Sequence, residues 1–261
     1  MSDEEIALPG GMGAGGLVVR VGHTIRRPLV PQTAAVEGFL AHLRGAGFDG
    51  APAPLGRDAQ GRSVLTWMPG DVALPPFPAW VATEEALVSV ALLQRRMHDA
   101  SRSFAFDPLA PWYRPNLPDA GPGAIVCHND FCVENVVFNG GRATAFIDFD
   151  FAAPADPLLD IAIACRHWVP FKDPVDVVDA FAGVDQARRF RLFCDAHGLS
   201  DEQRTAVVEH GLAFLDRALV TMRAKADEGL PLYVAVWENG YEKQNRRSHE
   251  WLRRFGETLL R

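Results

Sequence analysis

IVCHNDFCVENVVFNGGRATAFIDFD, residues 125–150, is the stretch from which the rest of the chain can be read. It opens with an apolar strand, Ala124 to Cys127, that stops abruptly at the polar run His128-Asn129-Asp130. A second strand follows at Val136-Val137-Phe138, and Asn139-Gly140 is a strong hairpin signal because both residues tolerate positive φ. The return through Ala143 to Ile147 ends on Asp148. A reversal there sends Asn135 and Asp148 to one rim, with Asp130 on the loop that feeds it. Two acids and an amide beside apolar strands cost free energy unless they have partners. A carboxylate and an amide oxygen are hard ligands suited to magnesium. The other carboxylate, Asp130, can then accept or orient a hydroxyl proton, which completes the parts that phosphoryl transfer requires. His128 reads as a structural histidine bonded to the loop backbone. Asp160, ahead of Ile161-Ala162-Ile163-Ala164, reads as a helix cap or a brace for the loop. Asp150 and Asp156 read as loop residues, with Asp150 able to approach the metal.

Upstream, residues 1 to about 70 read as strands and turns around one helix. Leu17 to Val21 and Thr24 to Arg27 form a hairpin across Gly22-His23. Ala34 to Ala46 carries Val36, Phe39, Leu40 and Leu43 at helical spacing, with Gly47 as its stop. A second hairpin turns at Asp58 to Gly61 and returns through Ser63 to Met68, ended by Pro69-Gly70. Asp71 to Trp80, with Pro75, Pro76 and Pro78, reads as a linker without regular structure. Helices dominate beyond it: Thr83 caps one running to His98, Ser200 to Gln203 is a capping box opening a helix closed by Gly229, and Leu232 to Leu260 reads as one more. The expected fold is α+β and bilobal. Residues 1–70 would be a small β-rich nucleotide-binding lobe, 71–82 a hinge extension, and 83–261 a helical lobe holding the catalytic loop and acceptor site.

Composition narrows the alternatives. Hydrophobic residues are 48% and charged ones 23% of the chain, the balance of an ordinary globular protein. The net charge of −7 repels nucleic acid and anionic lipid, so neither is expected as a partner. No apolar run approaches the roughly 20 residues that span a bilayer. The start, MSDEEIALPGG, is acidic where a targeting segment would be basic, so a cytoplasmic location is expected. Cys127, Cys132, Cys165 and Cys194 form no CxxC pair and read as reduced thiols. The first lysine is Lys172, so any earlier cation must be arginine or histidine.

In these residues the chain resembles the aminoglycoside phosphotransferase family, a branch of the protein-kinase-like fold. HNDFCVEN is similar to that family's H-G-D-x-x-x-x-N loop, with Asn129 in the usual glycine position. FIDFD resembles its I-D-[FW]-[GDE] metal motif, DPLLDIA its D-P-x-x-D-[LI]-A, LLQRRMHD its L-x-x-L-H-x helix, and VLTWMPGD its strand and hinge. The resemblance implies Asp130 as catalytic residue, Asn135 and Asp148 as magnesium ligands, and ATP or GTP as phosphoryl donor. It also places the Thr66, Trp67 and Met68 backbone against the nucleotide base. The family's third-strand lysine is missing; Arg27, or else Arg26, stands where it would be, with bidentate donors for phosphate. Its partner glutamate has no clear counterpart, Glu37 lying about one position away. Gly11 and Gly13, in a literal GxGxxG followed by a strand, suit a glycine loop over phosphates better than a dinucleotide fold.

The implied activity is a magnesium-dependent kinase acting on a small-molecule hydroxyl, as monomer or homodimer. Two other readings stay open. One is a kinase-fold binding or immunity protein with weak catalysis, motivated by the missing lysine and displaced glutamate. The other is a metal-dependent phosphohydrolase built on His128, Asp130, Asp148 and Asp150, with His167 as a further ligand. Acceptor contacts are expected near Arg166, His167 and Trp168 and from Trp237 to Tyr241.

Overall fold

A computed structural model describes residues 4–8 and 18–260. Gly11 and Gly13 lie outside the described residues. The N-terminal part is built from β1 (Glu5–Ala7), β2 (Val19–Val21), β3 (Thr24–Arg27), α1 (Thr33–Gly45), β4 (Pro54–Arg57) and β5 (Ser63–Thr66). The strands form one antiparallel sheet in the order β1-β2-β3-β5-β4. Gly22 turns β2 into β3 at φ 56, and Asp58 holds the next turn by accepting the Gln60 and Arg62 N–H groups. Helix α1 buries Val36, Phe39, Leu40 and Leu43, the four positions its periodicity selects. Each such side chain, fully withdrawn from water, contributes roughly 1.5–3 kcal/mol of transfer free energy.

The chain then passes through β6 (Asp71–Val72), α2 (Glu84–Ser101), β7 (Ile125–Cys127), β8 (Val136–Asn139), β9 (Arg142–Phe146) and β10 (Ala153–Ala155). It continues through α3 (Pro157–Trp168), α4 (Gln186–His197), α5 (Asp201–Asp227), α6 (Pro231–Glu238) and α7 (Tyr241–Leu260). Thr83 caps α2 by accepting the Ala86 N–H, and Ser200 with Gln203 forms the expected capping box on α5. One apolar core joins the two parts, running from Phe39 and Leu40 on α1 through Val90 and Met97 on α2 to Phe149, Trp168 and Leu252. The arrangement is the expected bilobal, kinase-like α+β fold.

Four local expectations need correction. The segment 71–82 is not wholly irregular: β6 pairs with β8, and Ala79–Ala82 forms a 3₁₀ turn. Glu5–Ala7 adds an edge strand to β2, although its acidic sequence carries no strand signal. The last predicted helix is two, because Gly240 at φ 86 breaks it between α6 and α7. The turn of the central hairpin is Gly140-Gly141, at φ 56 and 79, with Asn139 paired to Arg142 in the strands. A two-residue loop with both φ values positive selects Gly-Gly over Asn-Gly because neither glycine carries a Cβ.

That last shift decides the site. A loop at Asn139-Gly140 with unbroken pairing would set Asn135 opposite Thr144. Instead, the Gly140-Gly141 turn and an irregularity after Val137 advance the register, so that Val136 faces Phe146. The Ile147 N–H then reaches the Asn135 carbonyl at 2.9 Å. A bulge of this kind re-aims side chains at the end of a ladder. Asp148 follows immediately.

Candidate active site

Asp130 is held from below by a buried polar chain. The Asn129 N–H donates to Asp160 Oδ1 at 2.7 Å, while Asp160 Oδ2 accepts from His98 Nε2 at 2.6 Å and from Gln94 Nε2 at 3.1 Å. His197 Nε2 donates in turn to Gln94 Oε1 at 3.1 Å. Asp160 is fully buried, so these donors replace the water it has lost. It thus holds the Asn129 backbone and does not cap α3. The cap of α3 is Asp156, which accepts the Leu158 N–H at 2.8 Å.

His128 bonds on both ring nitrogens to the backbone around it. Its Nε2 donates to the Ile147 carbonyl at 3.0 Å, and its Nδ1 accepts the Asp130 N–H at 3.3 Å. Those two bonds define a neutral tautomer, and burial correspondingly lowers the pKa. The ring also packs on Phe131 and Phe149, at centroid separations of 4.8 and 4.5 Å. His128 thus ties the 128–130 loop to Ile147, the residue before Asp148.

Asn135 spends its Nδ2 on the Asp130 carbonyl and on Asp130 Oδ2, both at 3.0 Å. The amide oxygen is the remaining polar atom of that side chain, an acceptor of the kind a hard cation prefers. Burial and the nearby charge of Asp148 push Asp130 up to about 7, with Asn135 acting against them. Asp148 is raised as well, by burial and then by Asp150, with Arg27 opposing. Two crowded, mutually repelling carboxylates beside an amide oxygen form an all-oxygen donor set, which fits a hard divalent cation. Asp148 sits at φ 60, a conformation that a residue other than glycine adopts only when its surroundings hold it there.

Arg27 and Arg26 face opposite ways from β3, as neighbours on a strand must. Arg27 reaches across to an ion pair with Asp150, two residues beyond Asp148. Arg26 turns to Thr24 Oγ1 and, at 3.6 Å, to Asp58. Glu37 does not pair with Arg27; it holds Arg57 in a two-pronged pair at 2.7 and 2.8 Å and accepts the Ser63 hydroxyl. Around the hinge trio, the Thr66 N–H donates to the Ala53 carbonyl and the Trp67 N–H to the His23 carbonyl, both at 2.9 Å. Arg20 lies over the Trp67 ring at 4.4 Å. The Thr66 and Trp67 amides are therefore engaged within the N-terminal part.

On the other side of the 128–130 loop, Trp168 is core. Its Nε1 donates to the Phe131 carbonyl at 3.0 Å and its ring packs against Phe138 and Phe181. Arg166 lies over Phe214 at 5.6 Å, near enough to Asp130 to oppose its upward shift. Burial, followed by Arg166, brings Lys172 down to about 8. Trp237 is covered by Arg223 at 5.2 Å. Among the described residues, the cluster of His, Cys and acidic side chains tight enough to bind a metal is His98, Cys127 and Asp160. It includes none of the ligands that a phosphohydrolase would draw from His128, Asp130, Asp148, Asp150 and His167.

Three contributors escaped the sequence reading. Gln94 lies one turn before His98 on α2, a spacing that was the available signal. Lys172 carried no motif. The Asn129 side chain, noted only as a replacement for glycine, bonds to three carbonyl groups.

Known proteins similar to this chain point to the same fold and family. Residues 102–193 match the model of the family described as "Phosphotransferase enzyme family". A trifolitoxin immunity protein of Rhizobium leguminosarum bv. trifolii is 28% identical over 270 residues, covering 98% of either chain. A homoserine kinase of Nitrobacter hamburgensis is 33% identical over 143 residues, which are 55% of this chain and 37% of that one. The GDP complex of aminoglycoside 2'-phosphotransferase-IIIa superposes with a TM-score of 0.61 at 12% identity, covering 94% of this chain and 93% of that one, and so shares the fold. No helix among the described residues is long and apolar enough to cross a membrane. The resemblance read from the motifs is matched by these comparisons: residues 102–193 are similar to a phosphotransferase family, and the chain has a kinase-like fold.

Proposed function

We propose that the chain is a kinase that transfers a phosphoryl group from ATP or GTP to a hydroxyl of a small molecule, with magnesium. The carrying observation is the hairpin register that sets Asn135 beside Ile147 and Asp148, with Asp130 bonded to the Asn135 amide. Magnesium would be held by the Asn135 amide oxygen and the Asp148 carboxylate. When bound it supplies positive charge at the donor phosphates. Asp130 would take up or orient the proton of the acceptor hydroxyl, a role suited to a carboxyl poised near neutrality. Arg27 would meet the phosphates of the donor, and the Thr66 to Met68 segment its base. In this reading 1–70 is the nucleotide-binding lobe, 71–82 the hinge extension and 83–261 the acceptor lobe, working in the cytoplasm as a monomer or homodimer. The test is nucleoside-diphosphate release over a panel of amino alcohols, sugars, nucleosides and aminoglycosides. Asp130→Ala should abolish transfer while keeping the magnesium-dependent thermal shift with ATP; normal turnover in that variant refutes the assignment.

A second reading is favoured by two observations together. Arg27 is occupied by Asp150 and Glu37 by Arg57, so the expected cation–glutamate pair is not assembled. The relative matched along nearly its whole length is named an immunity protein. A kinase-fold binding protein of this kind would bind its target without consuming nucleotide. A thermal shift with ATP that is absent, or indifferent to magnesium, decides for it.

A further inference from the structure

Asn129 occupies the position where the resembled family usually has glycine, at φ 62. If backbone freedom were the whole requirement, glycine would serve better, since asparagine visits this region only at some cost. The side chain gives the reason for its presence. It is buried, at 7% exposure, and its Nδ2 lies 3.2 Å from the Cys127 carbonyl, 3.1 Å from that of Phe151 and 3.1 Å from that of Ala153. Those carbonyls belong to the end of β7, to the 3₁₀ turn that follows Asp148, and to β10. Its Oδ1 is buried without a partner, so the group is oriented by its donor side alone. Its backbone N–H meanwhile bonds to the Asp160 brace.

We infer that Asn129 is a positioning residue: its amide clasps the segment carrying Asp148 and Asp150 to the loop carrying Asp130. The inference rests on the kinase reading for its consequence, though not for the clasp itself. With glycine there, three carbonyl oxygens would converge on a space left without a donor. The 149–153 segment would then be held to the catalytic loop only by strand pairing and by His128. Asn135 and Asp148 would keep their identities and lose their fixed separation.

Two variants separate the clasp from a requirement for backbone conformation alone. Asn129→Gly preserves the positive φ and removes the amide. Asn129→Asp keeps the size and turns an acceptor toward three acceptors. Amide hydrogen exchange of the ligand-free protein should show protection across 147–155 falling about 10-fold or more in Asn129→Gly, with α5 unchanged, and further in Asn129→Asp. The magnesium concentration needed for half of the ATP-induced thermal shift should rise about 10-fold in Asn129→Gly, the size expected when a group supporting metal ligands is lost. Unchanged exchange in Asn129→Gly overturns the clasp, whatever the nucleotide data show. Altered exchange with an unchanged magnesium midpoint overturns its role in positioning the metal ligands. A wild-type chain with no magnesium-dependent response to ATP refutes the kinase reading and with it the functional half, while the exchange data still decide the clasp. Should Asn129→Asp fail to fold, the glycine variant alone decides.

Discussion

Replacing Asp160 by asparagine puts the buried polar chain to its sharpest test. The change conserves volume, so no cavity enters the comparison. Asp160 Oδ1 can still accept the Asn129 N–H, but the new NH₂ group must face His98 Nε2 and Gln94 Nε2, the two donors that now share Oδ2. Hydrogen bonds to a charged group contribute about 1.5–3 kcal/mol each. Two are lost in a site with no exposure, so the destabilisation should be about 3–5 kcal/mol, the range found when one partner of a buried pair is removed. For a chain of this size each kcal/mol lowers Tm by roughly 2–4 °C, so the variant should melt about 6–20 °C below the wild type. Circular dichroism melts at constant pH give Tm, and a parallel urea series gives the free energy. The loss should be shared with His98, such that His98→Ala combined with Asp160→Asn costs less than the sum of the two. A variant melting within about 2 °C of wild type would mean that Asp160 does not hold the loop, and the account of how Asp130 is placed would fall with it.

Other expectations follow from the same geometry. Asp130 has its pKa raised to about 7 in the folded, ligand-free protein, above its unfolded value, so the stability it contributes is present at low pH and lost as pH rises from about 4 through 7. Asp130→Asn should therefore flatten that part of the profile and be more stable than wild type at pH 8 by roughly 2–4 kcal/mol, measured by melts from pH 5 to 8; parallel profiles would contradict it. Arg27→Ala should weaken ATP binding by roughly 10–100-fold, the value of one or two charge-assisted bonds, while Arg26→Ala should change it by less than about 3-fold; calorimetric titration distinguishes them, and the reverse order would reassign the phosphate cation. Gly141→Ala should cost about 1–2 kcal/mol at φ 79 although its Cβ would meet open space. Gly121→Ala, equally open at a conformation any residue adopts, should be neutral in the same urea series.

The central elements were legible because several sequence signals agreed there. The strand ending in His128-Asn129-Asp130, the helical spacing of α1 and the α5 capping box each combine propensity with pattern, and the fold follows them. Register was not legible. Whether Asn135 meets Thr144 or Ile147 depends on which dipeptide turns and on one irregularity in a four-residue strand, and Val136-Val137-Phe138 is apolar throughout, so no alternation marks its register. Sequence preferred Arg27 to Arg26 but could not show that the face of β3 bearing Arg27 is the one that looks toward Asp150. The single long C-terminal helix was misread because Asn239-Gly240 interrupts a periodic segment whose apolar pattern continues on either side. Gln94 was hinted at only by its spacing from His98 on one helix face, and the Asn129 amide acts through tertiary contacts that no local pattern encodes.

The Arg27–Asp150 pair bears on what any measured affinity would mean. In the resting molecule this arginine is already engaged by an internal anion, so an arriving triphosphate competes with the protein's own carboxylate for one guanidinium. Binding becomes a substitution whose observed strength is the difference between two attachments, and a modest constant would be compatible with strong contacts. Added salt would weaken the incumbent and the newcomer alike, which makes ionic strength a poor guide to how tightly the phosphates are held.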